Sequence, residues 1–299
     1  MIRFKWAGKD QIRSSFFLLL WSVSFSLAML MTKSLSKSTP QITLMLVRSG
    51  LGGLLMLPFW YPFPVLKLFR VPNIKLLALR GVFQTLAMAL GYAGYRYLPG
   101  ETAAFLGTSG PFFILLLAWL VLKEKLDTLH WIAIGVAYSG VLCVLNPFSV
   151  TFTFYSLLPI FANICMAFSI IITRKLILIQ ENAKCILFSN SFFPFVFFCI
   201  AAVYFIPFWS CNVSNFGYLA VIGGLGALSA VSHFYALQRS SAAFVAIFDY
   251  FRLIVFLLLN YFIYQEKMAF NTILGGVIIV ISTIVYMITK QKRRTSSAL

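Results

Sequence analysis

The stretch from Thr102 reads TAAFLGTSGPFFILLLAWLVLKEKLDTLHWIAIG, and from Ser241 the chain reads SAAFVAIFDYFRLIVFLLLNYFIYQEKMAFNTILG. Each begins with a small residue and Ala-Ala-Phe. Each then runs through a long apolar segment, closes on Glu-Lys, and enters a second apolar segment that carries glycine. Ala103-Ala104-Phe105 aligns with Ala242-Ala243-Phe244, and Glu124-Lys125 with Glu266-Lys267; the second copy is three residues longer between these marks. Such a long apolar segment matches the roughly 20 residues that a helix needs to cross a bilayer. The repeat is therefore read as two copies of one membrane-spanning unit.

Working outward, the whole chain divides the same way. Ten apolar stretches are predicted as helices, at 15–36, 42–60, 74–95, 101–122, 128–146, 153–173, 185–208, 215–236, 241–263 and 269–289. Short polar or proline-bearing breaks separate them, none long enough for a soluble domain. Runs such as FFILLLAWLVL lack the alternation of a barrel strand. Of the 299 residues, 61% are hydrophobic and 10% charged, against about 45–50% and about 25% in soluble domains. The first apolar run has no small-x-small cleavage site and is read as retained.

The net charge is +17, but the cations lie in turns and tails rather than on a domain. That pattern speaks for anionic lipid headgroups and against nucleic acid. With the N-terminus inside, the inner connections hold most of the Lys and Arg, including Arg3, Lys67, Lys123, Arg174, Arg239 and Arg293. The outer ones hold Lys37, Arg96 and Lys267. Both termini are thus expected in the cytoplasm of a bacterial inner (cell) membrane. The matched segments are the fourth and ninth of ten, and five spans per repeat forces opposite topology. The expected organisation is a cytoplasmic segment at 1–14, repeats at 15–147 and 148–289, and a basic cytoplasmic tail at 290–299, polar and disordered after Ile288. Inverted repeats are the usual plan of secondary transporters.

These halves resemble the drug/metabolite transporter superfamily, EamA type. Pro111, Trp119, Glu124 and the run Gly135 to Gly140 carry the likeness in the first half, and Glu266, Gly275 and Gly276 in the second. The second half departs from the pattern at Asp-Tyr-Phe-Arg, which stands where a proline is usual. The resemblance implies an all-α integral membrane protein of ten transmembrane helices, a central substrate cavity, and transport without ATP. It does not imply a substrate.

Substrate candidates are the polar residues within spans. Charges there are costly and tend to face the bundle interior. Asp249 and Arg252 are three apart, so on a helix they share a face. They either pair with each other structurally or line the cavity with Tyr250. Arg48 lies early in the second span, and Lys33 ends the first, where it either snorkels to headgroups or faces the cavity. Gln84, Tyr92 and Tyr95 on the third span, Asn163 on the sixth, His233 on the eighth and Asn260 on the ninth supply hydrogen bonds to a substrate or between helices. Trp21 and Trp119 offer faces for stacking. In the resembling transporters, a basic residue at the start of the second helix and a polar ninth helix lie toward the cavity, which favours Arg48, Asp249, Tyr250 and Arg252.

Pro111, Pro159 and Pro194 are expected to kink or break their spans. Gly50, Gly52 and Gly53, and Gly223, Gly224 and Gly226, are expected to let helices approach closely. No HExxH motif, serine elbow, P-loop or metal-spaced cysteine pattern occurs among the 299 residues. The chain is accordingly read as no enzyme, with no cofactor. The reading is a secondary transporter of a small polar, zwitterionic metabolite such as an amino acid or derivative. A proton or an exchanged metabolite is the coupling species. The lysine, arginine and Asp-Tyr-x-Arg pattern is also similar to carriers that take up S-adenosylmethionine in intracellular bacteria. That uptake and multidrug export stand as alternatives. Direction of transport and oligomeric state stay open.

Overall fold

The computed structural model describes residues 8–35, 39–55, 72–98, 106–124, 126–145, 153–205, 216–265 and 270–296. These residues fold into ten α-helices and one 3-10 turn, Phe154–Ser156. The helices are α1 (Gly8–Leu35), α2 (Gln41–Leu55), α3 (Ile74–Tyr97), α4 (Gly110–Leu120), α5 (Thr128–Leu145), α6 (Leu157–Leu178), α7 (Ala183–Phe205), α8 (Phe216–Arg239), α9 (Ala242–Tyr264) and α10 (Phe270–Ser296). Six are long and apolar enough to cross a membrane: α1, α3, α6, α7, α8 and α9. The apolar parts of α2, α4, α5 and α10 are shorter. The protein is an all-α, multi-pass membrane protein. Its outer surface agrees: Phe161, Val203, Phe262, Ile273 and Ile281 all stand exposed. Large apolar side chains exposed on several helices suit a hydrocarbon solvent.

The core is centred on the first half of α9. Every residue from Ala242 to Phe248 is at most 5% exposed. They pack against Leu18 and Trp21 of α1, Leu115 and Ala118 of α4, Ala137 and Val141 of α5, Ile171 of α6 and Tyr286 of α10. Helix contacts run mainly between the first five helices and the last five. Helix α1 lies against α8 and α9, α2 against α7 and α8, and α3 against α6 and α7. Helix α4 lies against α6 and α9, and α5 against α10. Glycine permits the closest of these crossings. A Cβ on Gly223 would lie 2.9 Å from the Leu51 Cβ and 3.2 Å from the Gly52 backbone nitrogen, so α2 and α8 meet nearly backbone to backbone.

The expected 101–122 span is broken at its proline: residues 108–109 form a turn, and α4 begins at Gly110 with Pro111 in its first two positions, where the missing N–H has no intrahelical partner to lose. Three other local features differ from expectation. Pro159 falls in the first turn of α6 in the same way, while Pro194 stays inside a continuous α7. The chain after Ile288 is helical to Ser296. Lys, Arg and Gln propagate an existing helix well, and cations suit its C-terminal end.

Of the repeat marks, Ala103 to Phe105, Lys125, Glu266 and Lys267 lie outside the described residues. The residue before each glutamate is described in both copies. Lys123 has φ 53° and Gln265 has φ 56°, so each sits in the left-handed region that a side chain rarely enters. Gln265 closes α9, its N–H bonding to the Tyr261 carbonyl. In the first copy, Glu124 reaches across to α9. Its carboxylate accepts from the N–H groups of Ala242 (3.3 Å) and Ala243 (3.4 Å) and lies 3.9 Å from Arg174 Nε. An acid at a helix N-terminus satisfies free N–H groups and complements the dipole.

Candidate functional site

The charges within the spans do converge. On α9, one turn of helix brings Arg252 Nε to 3.1 Å from Asp249 Oδ1. Asp249 is 12% exposed and Arg252 27%. The Arg252 guanidinium lies over two rings of α1, 4.7 Å from the Phe25 centroid and 5.5 Å from Trp21. Phe25 also faces the Arg48 guanidinium of α2, at 5.9 Å. Arg48 in turn donates a 2.6 Å hydrogen bond to the Tyr92 hydroxyl of α3. Gly226 of α8 makes room for it, since a Cβ there would lie 3.2 Å from Arg48 Nε. The rings of Trp21 and His233 of α8 meet at a tilt, with centroids 4.9 Å apart. Five helices, α1, α2, α3, α8 and α9, thus enclose one cluster of cations, aromatic faces and a single carboxylate.

A second group adjoins it. Asn163 of α6 donates to the Leu106 carbonyl (2.9 Å) and to Ser109 Oγ (3.0 Å), holding the turn that leads into α4. Gly110 follows that turn. A side chain there would press on Asn163 and come within 3.9 Å of Asp249 Oδ2. Asn163 is therefore a brace between helices that also borders the Asp249 carboxylate.

Other expected residues lie elsewhere or serve other contacts. Gln84 accepts from Ser169 Oγ at 3.1 Å, tying α3 to α6. Tyr250 is 1% exposed, and its hydroxyl has no hydrogen-bond partner among the described residues. Trp119 is 53% exposed beside exposed Leu120 and Val121. It stands about 13 Å of helical rise beyond Gly110, so the structure does not bring it to the cluster. The side chains of Lys33 and Tyr95 fall outside the described residues.

Several contributors escaped the sequence reading. Phe25 had no mark distinguishing it from the other 31 phenylalanines. Gly110 and Gly226 matter because of what they approach, which no spacing reveals. Arg80 is 6% exposed and makes four hydrogen bonds, to Thr173 Oγ1, the Ile186 carbonyl, Ser189 Oγ and Asn190 Oδ1. A signal was present in this case: an arginine inside an apolar run needs a partner. Among the described residues no group of three or more His, Cys, Asp and Glu could hold a metal ion.

The bundle and its cluster of intramembrane charges set the frame for comparison with known proteins. The EamA-like transporter family matches this chain twice, over residues 12–146 and again over 153–288, and the chain belongs to that family. Membership makes it a small-molecule transporter of the drug/metabolite superfamily and not an enzyme. Among its relatives is the S-adenosylmethionine uptake transporter of Rickettsia prowazekii (strain Madrid E), 27% identical over 97% of each chain. The pseudopaline exporter CntI of Pseudomonas aeruginosa (strain UCBPP-PA14) is 25% identical over 94% of this chain and 99% of its own. A solved crystal structure superposes with a TM-score of 0.77 at 14% identity, covering 96% of this chain and 99% of the other, and so shares the fold.

Proposed function

We propose that the protein is a secondary transporter that carries a small polar, zwitterionic metabolite across a bacterial inner membrane by alternating access. The observation that carries this reading is the cluster itself. Arg48, Arg252 and Asp249 gather both signs of charge around the Phe25 ring, between helices drawn from both halves of the chain. Burial of such groups is unfavourable unless they serve each other or a ligand.

In this reading the ten helices are two inverted five-helix repeats, 15–147 and 148–289, with both termini in the cytoplasm. The helix pairing supports it. Exchanging the halves turns α1–α8 into α6–α3, α2–α8 into α7–α3, and α1–α9 into α6–α4, all of which are packed pairs. The pairs α2–α7, α4–α9 and α5–α10 map onto themselves. The left-handed residues before Glu124 and Glu266 are a second match. Alternating access then follows from exchanging the conformations of the halves, with a proton or a counter-transported metabolite as the coupled species.

S-adenosylmethionine uptake is a second reading. It is favoured by similarity to the Rickettsia transporter and by Trp21 and Phe25, which could receive an aromatic base beside a charged end. A general drug exporter fits less well, because fixed arginines disfavour the cationic amphiphiles such carriers take. The test is counterflow into liposomes with labelled amino acids, nucleosides, S-adenosylmethionine and their uncharged analogues. Saturable exchange of at least one zwitterion is expected, and Arg48→Ala should lower uptake more than it lowers protein in the membrane. Absence of exchange with every compound would sink the carrier reading. Equal losses of uptake and protein would reassign Arg48 to folding.

A further inference from the structure

We infer that Phe25 is the floor of a carboxylate-binding subsite whose walls are the guanidinium groups of Arg48 and Arg252. This rests on the transporter reading above and deepens it by naming where the anionic end of the cargo binds. One phenyl ring carries both cations, at 5.9 Å and 4.7 Å from its centroid. The two guanidiniums are therefore no farther apart than the sum of those distances. Asp249 pairs with Arg252. Among the described residues Arg48 has no carboxylate; its hydrogen-bond partner is the neutral Tyr92 hydroxyl. The cluster thus holds two cations and one anion in a poorly solvated place, an imbalance that an incoming anion would relieve.

The chemistry of the groups selects a carboxylate. A guanidinium offers parallel N–H donors that match the two oxygens of a planar anion. Cation–π contact with Phe25 and Trp21 holds the Arg252 fork in orientation without using all its donors. Gly226 leaves space beside Arg48 Nε where any side chain would intrude. Asp249 fits the other end of a zwitterion. Its Oδ1 meets Arg252 as an ion pair but makes no aligned hydrogen bond, so it keeps acceptor capacity for an ammonium or sulfonium group. The Asp249 carboxylate already holds one side of the Arg252 guanidinium, showing how that fork receives a carboxylate. Phe25 acts through the two arginines and is a positioning and specificity-determining residue.

The experiment compares acids with their amides on the purified full-length protein in liposomes. The probes are L-methionine against L-methioninamide, L-tryptophan against L-tryptophanamide, and S-adenosylmethionine against its decarboxylated form. Each is read by competition of counterflow and by quenching of tryptophan fluorescence in detergent. The acid should outcompete its partner that lacks the carboxylate by about tenfold or more, as expected for charge-assisted hydrogen bonds. Arg48→Gln should abolish that ratio, and Arg48→Lys should restore part of it. Phe25→Leu should weaken binding of the acid more than that of the amide and so lower the ratio, and Phe25→Tyr should restore it. A purely structural Phe25 would lower both alike. Exchange in which acid and amide compete equally overturns the subsite and leaves the carrier intact. No response to any of the three acids, with exchange of uncharged compounds, likewise overturns it. No exchange by any compound overturns the carrier reading instead.

Discussion

Replacing Arg80 with methionine isolates a buried cation that stands apart from the Phe25 cluster. The guanidinium donates four hydrogen bonds, at 2.6 Å to Thr173, 2.9 Å to the Ile186 carbonyl, 2.8 Å to Ser189 and 2.9 Å to Asn190. Bonds to a charged group contribute about 1.5–3 kcal/mol each. Holding the cation in the bilayer costs about 2.5–3.5 kcal/mol, which its removal returns. The partners also differ in what they lose. Thr173 and Ser189 give their own hydrogens to the Ser169 and Ile186 carbonyls, so the substitution strips them only of an incoming donor. Asn190 Oδ1 loses its Arg80 donor. Taking the lower bound for the four bonds together, about 6 kcal/mol, and returning the insertion cost leaves a loss of about 3 kcal/mol. Arg80→Lys keeps the charge but offers a point donor in place of a planar fork, and should lose roughly half as much. The assay is the midpoint of thermal aggregation of the full-length protein in detergent, followed by fluorescence size exclusion. Arg80→Met should lower it by roughly 10 °C, with Arg80→Lys between it and the wild type. A midpoint for Arg80→Met within about 2 °C of the wild type, on the same scale, would refute the reasoning.

Two further substitutions test how the bundle is joined. Glu124→Gln removes the ion pair with Arg174 and weakens the bonds to the α9 N-terminus; the expected loss is about 1 kcal/mol. Amide exchange at Ala242 and Ala243 should quicken in the variant, and unchanged protection there would show that Glu124 does not hold α9. Gly223→Val forces a branched side chain against Leu51 and Gly52 and should destabilise by about 1–3 kcal/mol, with a lower yield of monodisperse protein. Gly276→Ala is the control, since a Cβ there meets nothing within 4 Å. If the two variants behave alike in size exclusion, the α2–α8 contact is not the tight one described.

Much of the helical layout was legible because apolar run length is a strong signal. The runs around 74–95, 185–208 and 241–263 became α3, α7 and α9 within a few residues. Ends were less legible, since a helix end depends on local partners. Helix α10 runs on through Lys290 to Ser296 because helix, once formed, propagates through residues that would not start one. The charged members of the candidate cluster were also recognisable: Arg48, Tyr92, Asp249 and Arg252 are polar groups in apolar surroundings. Phe25 and Trp119 show the converse. Both are aromatic residues within spans, and nothing in composition says which one faces a cation and which stands exposed. Gln84 and Asn163 were recognisable as polar anomalies, but their partners Ser169, Leu106 and Ser109 come from distant helices. Arg80 is as anomalous in its apolar run as Arg48, but its partners come from the distant helices α6 and α7.

The pairing of the first five helices with the last five has a consequence for biosynthesis. Helices α1, α2 and α3 leave the ribosome well before α6, α7, α8 and α9, against which they chiefly pack. Until the second half is inserted, Arg80 lacks Thr173, Ser189 and Asn190. The nascent first half is therefore expected to persist as separately inserted helices, shielded by lipid or insertion machinery, and to consolidate late. Destabilising lesions in either half should then yield the same product: a fully inserted, unassembled chain open to membrane quality-control proteases, rather than one folded half with an unfolded companion.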